Sequence, residues 1–136
     1  MAYGCTSLRN ITIPSNVKRI EIYSFRGCTS LSSVIYETSA LTAIEAYAFY
    51  QNYALRDLNV PDTVKSIGGT AFYGCYSTYA SALTLPSALT SLGANAYQYC
   101  YNLKTLEIPS GLTALGDYAF AGCRALSSII DYRLTA

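Results

Sequence analysis

A four-residue phrase, aromatic-x-Gly-Cys, returns along the chain about every 23 residues, and this repetition constrains the fold more than any local pattern does. Phe25-Arg26-Gly27-Cys28, Phe72-Tyr73-Gly74-Cys75 and Phe120-Ala121-Gly122-Cys123 are full copies. Phe49 to Asn52 and Tyr97 to Cys100 are variants, and Ala2 to Cys5 is a truncated copy. The cysteines Cys5, Cys28, Cys75, Cys100 and Cys123 stand 23, 47, 25 and 23 residues apart, and the interval of 47 is two periods with Asn52 in the skipped place. Three residues after the Cys or Asn comes a leucine: Leu8, Leu31, Leu55, Leu103 and Leu126. An apolar-x-apolar pair follows at Ile11/Ile13, Val34/Tyr36, Leu58/Val60, Leu83/Leu85 and Leu106/Ile108. Pro14, Pro61, Pro86 and Pro109 close four of these, and a second apolar pair comes at Val17/Ile20, Leu41/Ile44, Val64/Ile67, Leu89/Leu92 and Leu112/Leu115.

An apolar-x-apolar pair ended by proline reads as a short strand with alternate residues facing inward, because proline has no N–H for the next rung of a ladder. Each period then gives a strand, a turn, a second short strand, and a tight loop or single helical turn through the Phe-x-Gly-Cys phrase. One such unit cannot bury its own apolar face. Stacked units can, because each Phe, Leu and Ile meets its equivalent above and below, and a buried side chain of this size contributes about 1.5–3 kcal/mol. The expected fold is a β-rich, right-handed repeat solenoid of about five coils, with Phe25, Phe49, Phe72, Tyr97 and Phe120 in one internal column. Two irregularities, an extra residue around Ser39 and two around Tyr79 to Ser81, fall between core positions, where insertions become loops.

With 136 residues, 51% of them hydrophobic, the chain fits a single repeat domain spanning 1–136. Charged residues are only 12%, nine basic against eight acidic, and the densest basic spot is Lys18 with Arg19, which argues against a nucleic-acid partner. There is no histidine, so catalysis built on imidazole is excluded and no enzyme activity is expected. The eight carboxylates spread over different repeat positions, and no phosphate-binding glycine motif occurs, so neither a catalytic pair nor a cofactor is expected. A cysteine that recurs once per period, is replaceable by Asn52, and never forms C-x-x-C reads as a small buried filler that satisfies the loop backbone. No metal site is expected, and all five thiols should be reduced and slow to react. Gly4, Gly27, Gly74 and Gly122 mark a turn that needs a permissive backbone. The N-terminus shows no secretion signal. The charge-free run from Ser66 to Leu103 is interrupted throughout by polar residues and Pro86, so no transmembrane segment is expected.

The pattern L-x-x-I-x-I-P-x-x-V-x-x-I-x-x-x-A-F-x-G-C, nearly whole from Leu103 to Cys123, resembles the BspA-like leucine-rich repeats over essentially the entire chain. The resemblance implies an extended parallel sheet on one face, a secreted or cell-surface location, and adhesion or protein binding, usually within a longer protein. It supplies no catalytic residues. The chain departs from the pattern at Glu37, where the proline is missing, at Thr78, where the leucine is missing, and at Asp131 and Tyr132, where a C-terminal closure or a truncation is expected.

The tyrosines, fourteen against four phenylalanines, concentrate at positions the repeat leaves free. Equivalent positions in a stack of about 4.8 Å per coil form lines, so Tyr50, Tyr53, Tyr73, Tyr76, Tyr79, Tyr99 and Tyr101 should gather into one uncharged aromatic patch. Tyrosine gives a large rigid contact and a hydrogen-bonding tip at little entropic cost, which suits a protein or glycan ligand on another cell or matrix. The competing surface is the outward line of the first strands, Thr12, Ile35, Asn59, Thr84, Glu107 and Ile130. The expected function is a non-catalytic binding or adhesion module. Its alternative is a self-assembling structural element, since the chain starts in mid-coil at Ala2 without a polar cap and open solenoid ends invite homo-oligomers or filaments.

Overall fold

A computed structural model describes residues 2–37 and 40–134. Ten short strands follow in chain order: β1 (Asn10–Ile13), β2 (Arg19–Ile20), β3 (Ser33–Tyr36), β4 (Ala43–Ile44), β5 (Ser66–Ile67), β6 (Ala82–Thr84), β7 (Ser91–Leu92), β8 (Thr105–Ile108), β9 (Ala114–Leu115) and β10 (Ser128–Asp131). All pairing is parallel. The second strands form one continuous sheet, β2-β4-β5-β7-β9, in which Ile20, Ile44, Ile67, Leu92 and Leu115 stand in register. The first strands form two sheets, β1-β3 and β6-β8-β10. Counted from each Phe-position residue, the chain makes about five coils and part of another, a parallel β-solenoid. The only helix among the described residues is a 3-10 turn at Tyr132–Leu134.

Sequence patterning leads to two strands in every coil, and the third coil departs from it. Leu58 is buried as expected, but residues 56–61 form no strand. Two Asx side chains take the places of ladder partners. Asp57 Oδ1 accepts the Asn59 backbone N–H at 2.9 Å and its side-chain amide at 2.8 Å, while Asn59 Oδ1 accepts the Thr84 N–H at 2.8 Å. Short polar side chains compete with the ladder in this way, so the first-strand sheet is open between β3 and β6.

The Phe-x-Gly-Cys phrase forms turns rather than a helical turn, and it carries a third inter-coil ladder. Phe25 N donates to Ala48 O at 2.8 Å, Phe49 N to Ala71 O at 2.8 Å, Phe72 N to Ala96 O at 2.7 Å and Tyr97 N to Ala119 O at 2.8 Å. Inside it the rings of Phe25, Phe49, Phe72, Tyr97 and Phe120 stack in one column, with centroids 5.4, 5.1, 5.0 and 5.5 Å apart and planes within 17° of parallel. Phe49, Phe72 and Tyr97 are wholly buried, as are Leu31, Leu41, Leu55, Val64, Leu89 and Leu103 around them.

The cysteine column is a hydrogen-bonded ladder. Cys28 Sγ donates to Ala2 O at 2.9 Å, Cys75 Sγ to Phe49 O at 3.4 Å, Cys100 Sγ to Phe72 O at 3.3 Å and Cys123 Sγ to Tyr97 O at 3.2 Å. Asn52 does the same work with its amide, Nδ2 to Phe25 O at 2.8 Å, which explains why asparagine can replace cysteine there. Each side chain reaches the Phe-position carbonyl of the preceding coil, so a donor of this length is what the column requires.

Two sequence expectations need correction or placing. Cys5 is exposed, so it is not the inert filler its four equivalents are. The extra residue around Ser39 lies outside the described residues, as do Thr135 and Ala136 of the expected closure. At Asp131 the last strand passes into the 3-10 turn. There Asp131 receives Arg133 Nε at 2.8 Å and Nη2 at 2.6 Å, and this contact holds the Asp131 carboxyl below the usual carboxylate range.

Native thiol labelling is expected to separate Cys5 from the rest. Burial pushes the Cys75 thiol up to about 12 and Cys100 well above its ordinary value, and the thiolate is the reactive form. Cys5 should react in the folded protein while Cys75 and Cys100 do not, and all five should react after unfolding, counted by mass. Fast native labelling of Cys75 or Cys100 would contradict the ladder.

Candidate binding surface

The turn that follows each Phe position places two side chains per coil on the outside of the solenoid, and in the middle coils these are tyrosines. Tyr50 stacks on Tyr73 with centroids 5.0 Å apart and planes 22° from parallel, and Tyr73 meets Tyr99 edge-on at 5.2 Å. In the neighbouring column Tyr53 stacks on Tyr76 at 4.8 Å and 19°, and Tyr76 on Tyr101 at 5.5 Å and 24°. Tyr99 and Tyr101, 5.8 Å apart, join the columns. Six of the seven expected tyrosines therefore form one connected ladder.

Tyr79 stands apart. It belongs to the inserted segment after Thr78, is 66% exposed, and takes Arg56 over its ring at 4.6 Å rather than another tyrosine. Tyr47, which the repeat places two residues before Phe49, joins the ladder instead through Tyr50 at 5.6 Å and Tyr23 at 5.3 Å.

Arginines end the ladder on both sides. The Arg26 guanidinium lies over Tyr3, Tyr23 and Tyr50 at 5.6, 5.5 and 5.2 Å, and that of Arg124 over Tyr101 at 4.1 Å. Such contacts contribute about 0.5–1 kcal/mol at exposed sites. The sequence carries this signal: Arg26 occupies the repeat column of Tyr3, Tyr50 and Tyr73, and Arg124 that of Tyr53, Tyr76 and Tyr101.

The turn backbone explains how the rings are aimed. Gly4, Gly27, Gly74 and Gly122 have φ of 67°, 71°, 73° and 73°, while Gln51 and Tyr99 take the same left-handed place at 59° and 61°. A Cβ on Gly122 would come within 2.3 Å of the Tyr99 ring, so that glycine supplies both the permitted φ and the room Tyr99 occupies. Stacking leaves most ladder rings half-buried, with Tyr76 the most open at 37%. Along each column the stacked rings cover faces of one another, apart from the edge-on meeting of Tyr73 with Tyr99. Burial is the leading cause that raises the Tyr53 and Tyr73 phenols, and neighbouring phenols add to it.

The strand-face line is also as aligned: Thr12 is paired with Ile35, and Thr84 and Ile130 each with Glu107. Ile35 and Ile130 are 55% and 48% exposed. The Asp57–Asn59 turn interrupts the line, although Asn59 still bonds Thr84. Beside it a groove of about 470 Å3 is lined by Asp62, Thr84, Ser87, Glu107, Ser110 and Tyr132 among others. No group of three or more metal-ligating side chains occurs among the described residues, and no helix there is long and apolar enough to cross a membrane.

The BspA type Leucine rich repeat region matches residues 2–127 in six copies, which takes in every strand except β10. The chain belongs to this repeat family. The T. pallidum leucine-rich repeat protein superimposes with a TM-score of 0.88 at 30% identity, over 96% of this chain and 60% of that one. A leucine-rich repeat protein from Bacteroides ovatus superimposes with a TM-score of 0.83 at 32% identity, over 93% of this chain and 32% of that one. The pneumococcal vaccine antigen PcpA shares the fold alone, at 21% identity and a TM-score of 0.54. The BspA-type chain thus spans less than two thirds of the length of each of these proteins, from 60% down to 32%. No curated protein sequence matches it.

Proposed function

We propose that this BspA-type chain is a non-catalytic protein-binding module of a secreted or cell-surface protein, and that the tyrosine ladder makes the contact. The observation that carries this reading is the connected run of Tyr50, Tyr53, Tyr73, Tyr76, Tyr99 and Tyr101 with Arg26 and Arg124 at its ends. Rings already held by their neighbours lose little freedom on binding, and Tyr and Arg dominate the residues that carry interface energy. No charge interrupts the sequence from Ser66 to Leu103, so covering the Tyr73, Tyr76, Tyr99 and Tyr101 part of this surface desolvates no charged residue of that run. A sugar would stack on ring faces, and in the columns several of these are taken by neighbouring rings. Edges and hydroxyls suit a protein partner.

Partners captured from host or matrix extracts test the reading when their affinities are compared among variants. Replacing Tyr73, Tyr76 and Tyr101 together by Ser should weaken a ladder partner by about 1000-fold or more, the scale of two hot-spot residues. The variant should still fold, because the Phe and Leu columns remain. If it binds as well as the parent while Asn59→Ala and Thr84→Ala weaken binding, the strand face with its groove is the site. Self-association of the parent in light scattering, lost in the tyrosine variant, would assign the ladder to assembly instead.

A further inference from the structure

Among the stacked tyrosines one pair differs from the others in its electronic surroundings. Tyr53 and Tyr76 have the smallest centroid separation of the tyrosine pairs, 4.8 Å, with planes only 19° from parallel. Tyr76 is the most solvent-open ring of the ladder. No guanidinium lies over either ring, whereas Arg26 lies over Tyr23 and Tyr50 and Arg124 over Tyr101. A cation on a ring face opposes withdrawal of an electron from that ring, because the positive charge destabilises the electron-poor product. One-electron oxidation is therefore resisted at both ends of the ladder and easiest in its middle.

We propose that Tyr53–Tyr76 is an oxidative cross-linking site, converted to dityrosine by a peroxidase-type one-electron oxidant with hydrogen peroxide. Each phenol gives up one electron and one proton. The two phenoxyl radicals join through a new carbon–carbon bond between positions ortho to the hydroxyls, and the hydrogens on those carbons then shift to the oxygens and restore both aromatic rings. Overall two hydrogen atoms leave the protein and one peroxide is reduced to two waters. The rings meet in an offset stack, so a small slide of one side chain over the other brings the carbons together, and the turn ladder limits larger excursions, with Gln51 N bonded to Tyr73 O at 2.8 Å.

The position of the pair gives the cross-link a purpose. Tyr53 lies in the third coil and Tyr76 in the fourth. Between these coils the first-strand sheet is open, and Thr84 N is held by the Asn59 side chain instead of a backbone carbonyl. A covalent bond from Tyr53 to Tyr76 fastens the two coils on the adjoining face. It closes a loop of about 23 residues and so restricts the unfolded chain much as a disulfide would. This fold carries no cysteine pair in a disulfide: Cys5, Cys28, Cys75, Cys100 and Cys123 are free.

Dilute full chain is treated with a peroxidase and hydrogen peroxide, and the monomer is separated from cross-linked oligomers. The expected monomer product shows dityrosine fluorescence, has lost two hydrogen atoms, and gives fragment spectra that link Tyr53 to Tyr76. Its Tm is higher than that of untreated protein. Tyr76→Phe keeps the stack but cannot form the phenoxyl, and it should remove the intrachain product, whereas Tyr101→Phe should leave it. A link mapped to Tyr50–Tyr73, an intrachain yield unchanged in Tyr76→Phe, or products formed only between chains would overturn the site. A mapped Tyr53–Tyr76 link without a rise in Tm would overturn its role as a fastening.

Discussion

Phe72→Ala is expected to remove about 3–5 kcal/mol of stability, the range for deleting a large buried aromatic side chain. The ring is wholly buried between Phe49 at 5.1 Å and Tyr97 at 5.0 Å, nearly parallel to both. Its removal leaves a slot one ring thick. The slot can close only if the coils on either side approach, and they are held apart by backbone rungs, Phe49 N to Ala71 O at 2.8 Å and Phe72 N to Ala96 O at 2.7 Å. Contacts in a solenoid run between neighbouring coils, so a defect in mid-stack weakens the coupling of the two halves as well as the local packing. Phe25, which is only half-buried in the second coil, is the internal control, and Phe25→Ala should cost less. Denaturant titration with comparison of midpoints and slopes measures both variants. A loss below about 1 kcal/mol for Phe72→Ala would mean that the coils close over the gap.

The parts of this fold that sequence made legible are those repeated in every coil. A position that recurs at a fixed interval and stays aromatic must meet its own copies in any stack, so the Phe column followed from spacing alone. The cysteine column followed as a buried filler, and Asn52 fitted as a variant before its hydrogen bond was seen. The ladder shows why the substitution is restricted: the acceptor is a carbonyl in the preceding coil, and both a thiol and a side-chain amide reach it. The opening in the first-strand sheet was illegible for the converse reason. Leu58 and Val60 keep the repeat, whereas Asp57 and Asn59 sit at free positions and act through hydrogen bonds that no period reveals.

The aromatic surface divides in the same way. Tyr50 with Tyr73 and Tyr53 with Tyr76 lie in true repeat columns and stack as expected. Tyr79, expected in the same patch, lies in an insertion whose path the repeat does not define, and there Arg56 takes its ring. The arginines over Tyr50 and Tyr101 sit in tyrosine columns and were readable in principle. A basic residue in an aromatic column becomes a ring contact only once the stack is built.

Gly93→Ala is expected to destabilise the protein by about 1–3 kcal/mol, far more than the same exchange at an exposed turn. Gly93 follows β7, and Gly68 and Gly116 hold the equivalent places after β5 and β9. Its φ is not left-handed, so backbone freedom is not the reason for glycine. A Cβ here would lie 2.3 Å from Gly69 N and 2.6 Å from the Gly68 carbonyl carbon, all backbone of the coil beneath. That backbone cannot yield as a flexible side chain would. Gly93 N is itself bonded to Ile67 O at 2.8 Å, and Thr70 N to Ala94 O at 2.9 Å, so making room lengthens rungs on both sides of the clash. Glu45 occupies the same column in the second coil, where the adjoining rung, Tyr23 N to Ala46 O, is 3.3 Å long. A side chain at this column is thus tolerated where the first two coils meet, and the expected cost in mid-stack is that of parting the rungs of 2.8 and 2.9 Å beside Gly93. Faster amide exchange at Gly93 and Thr70, together with a lower unfolding midpoint, is the signature of separated rungs. Wild-type exchange at both amides and an unchanged midpoint would show that the coils part there without loss, and the glycine column would then have another cause.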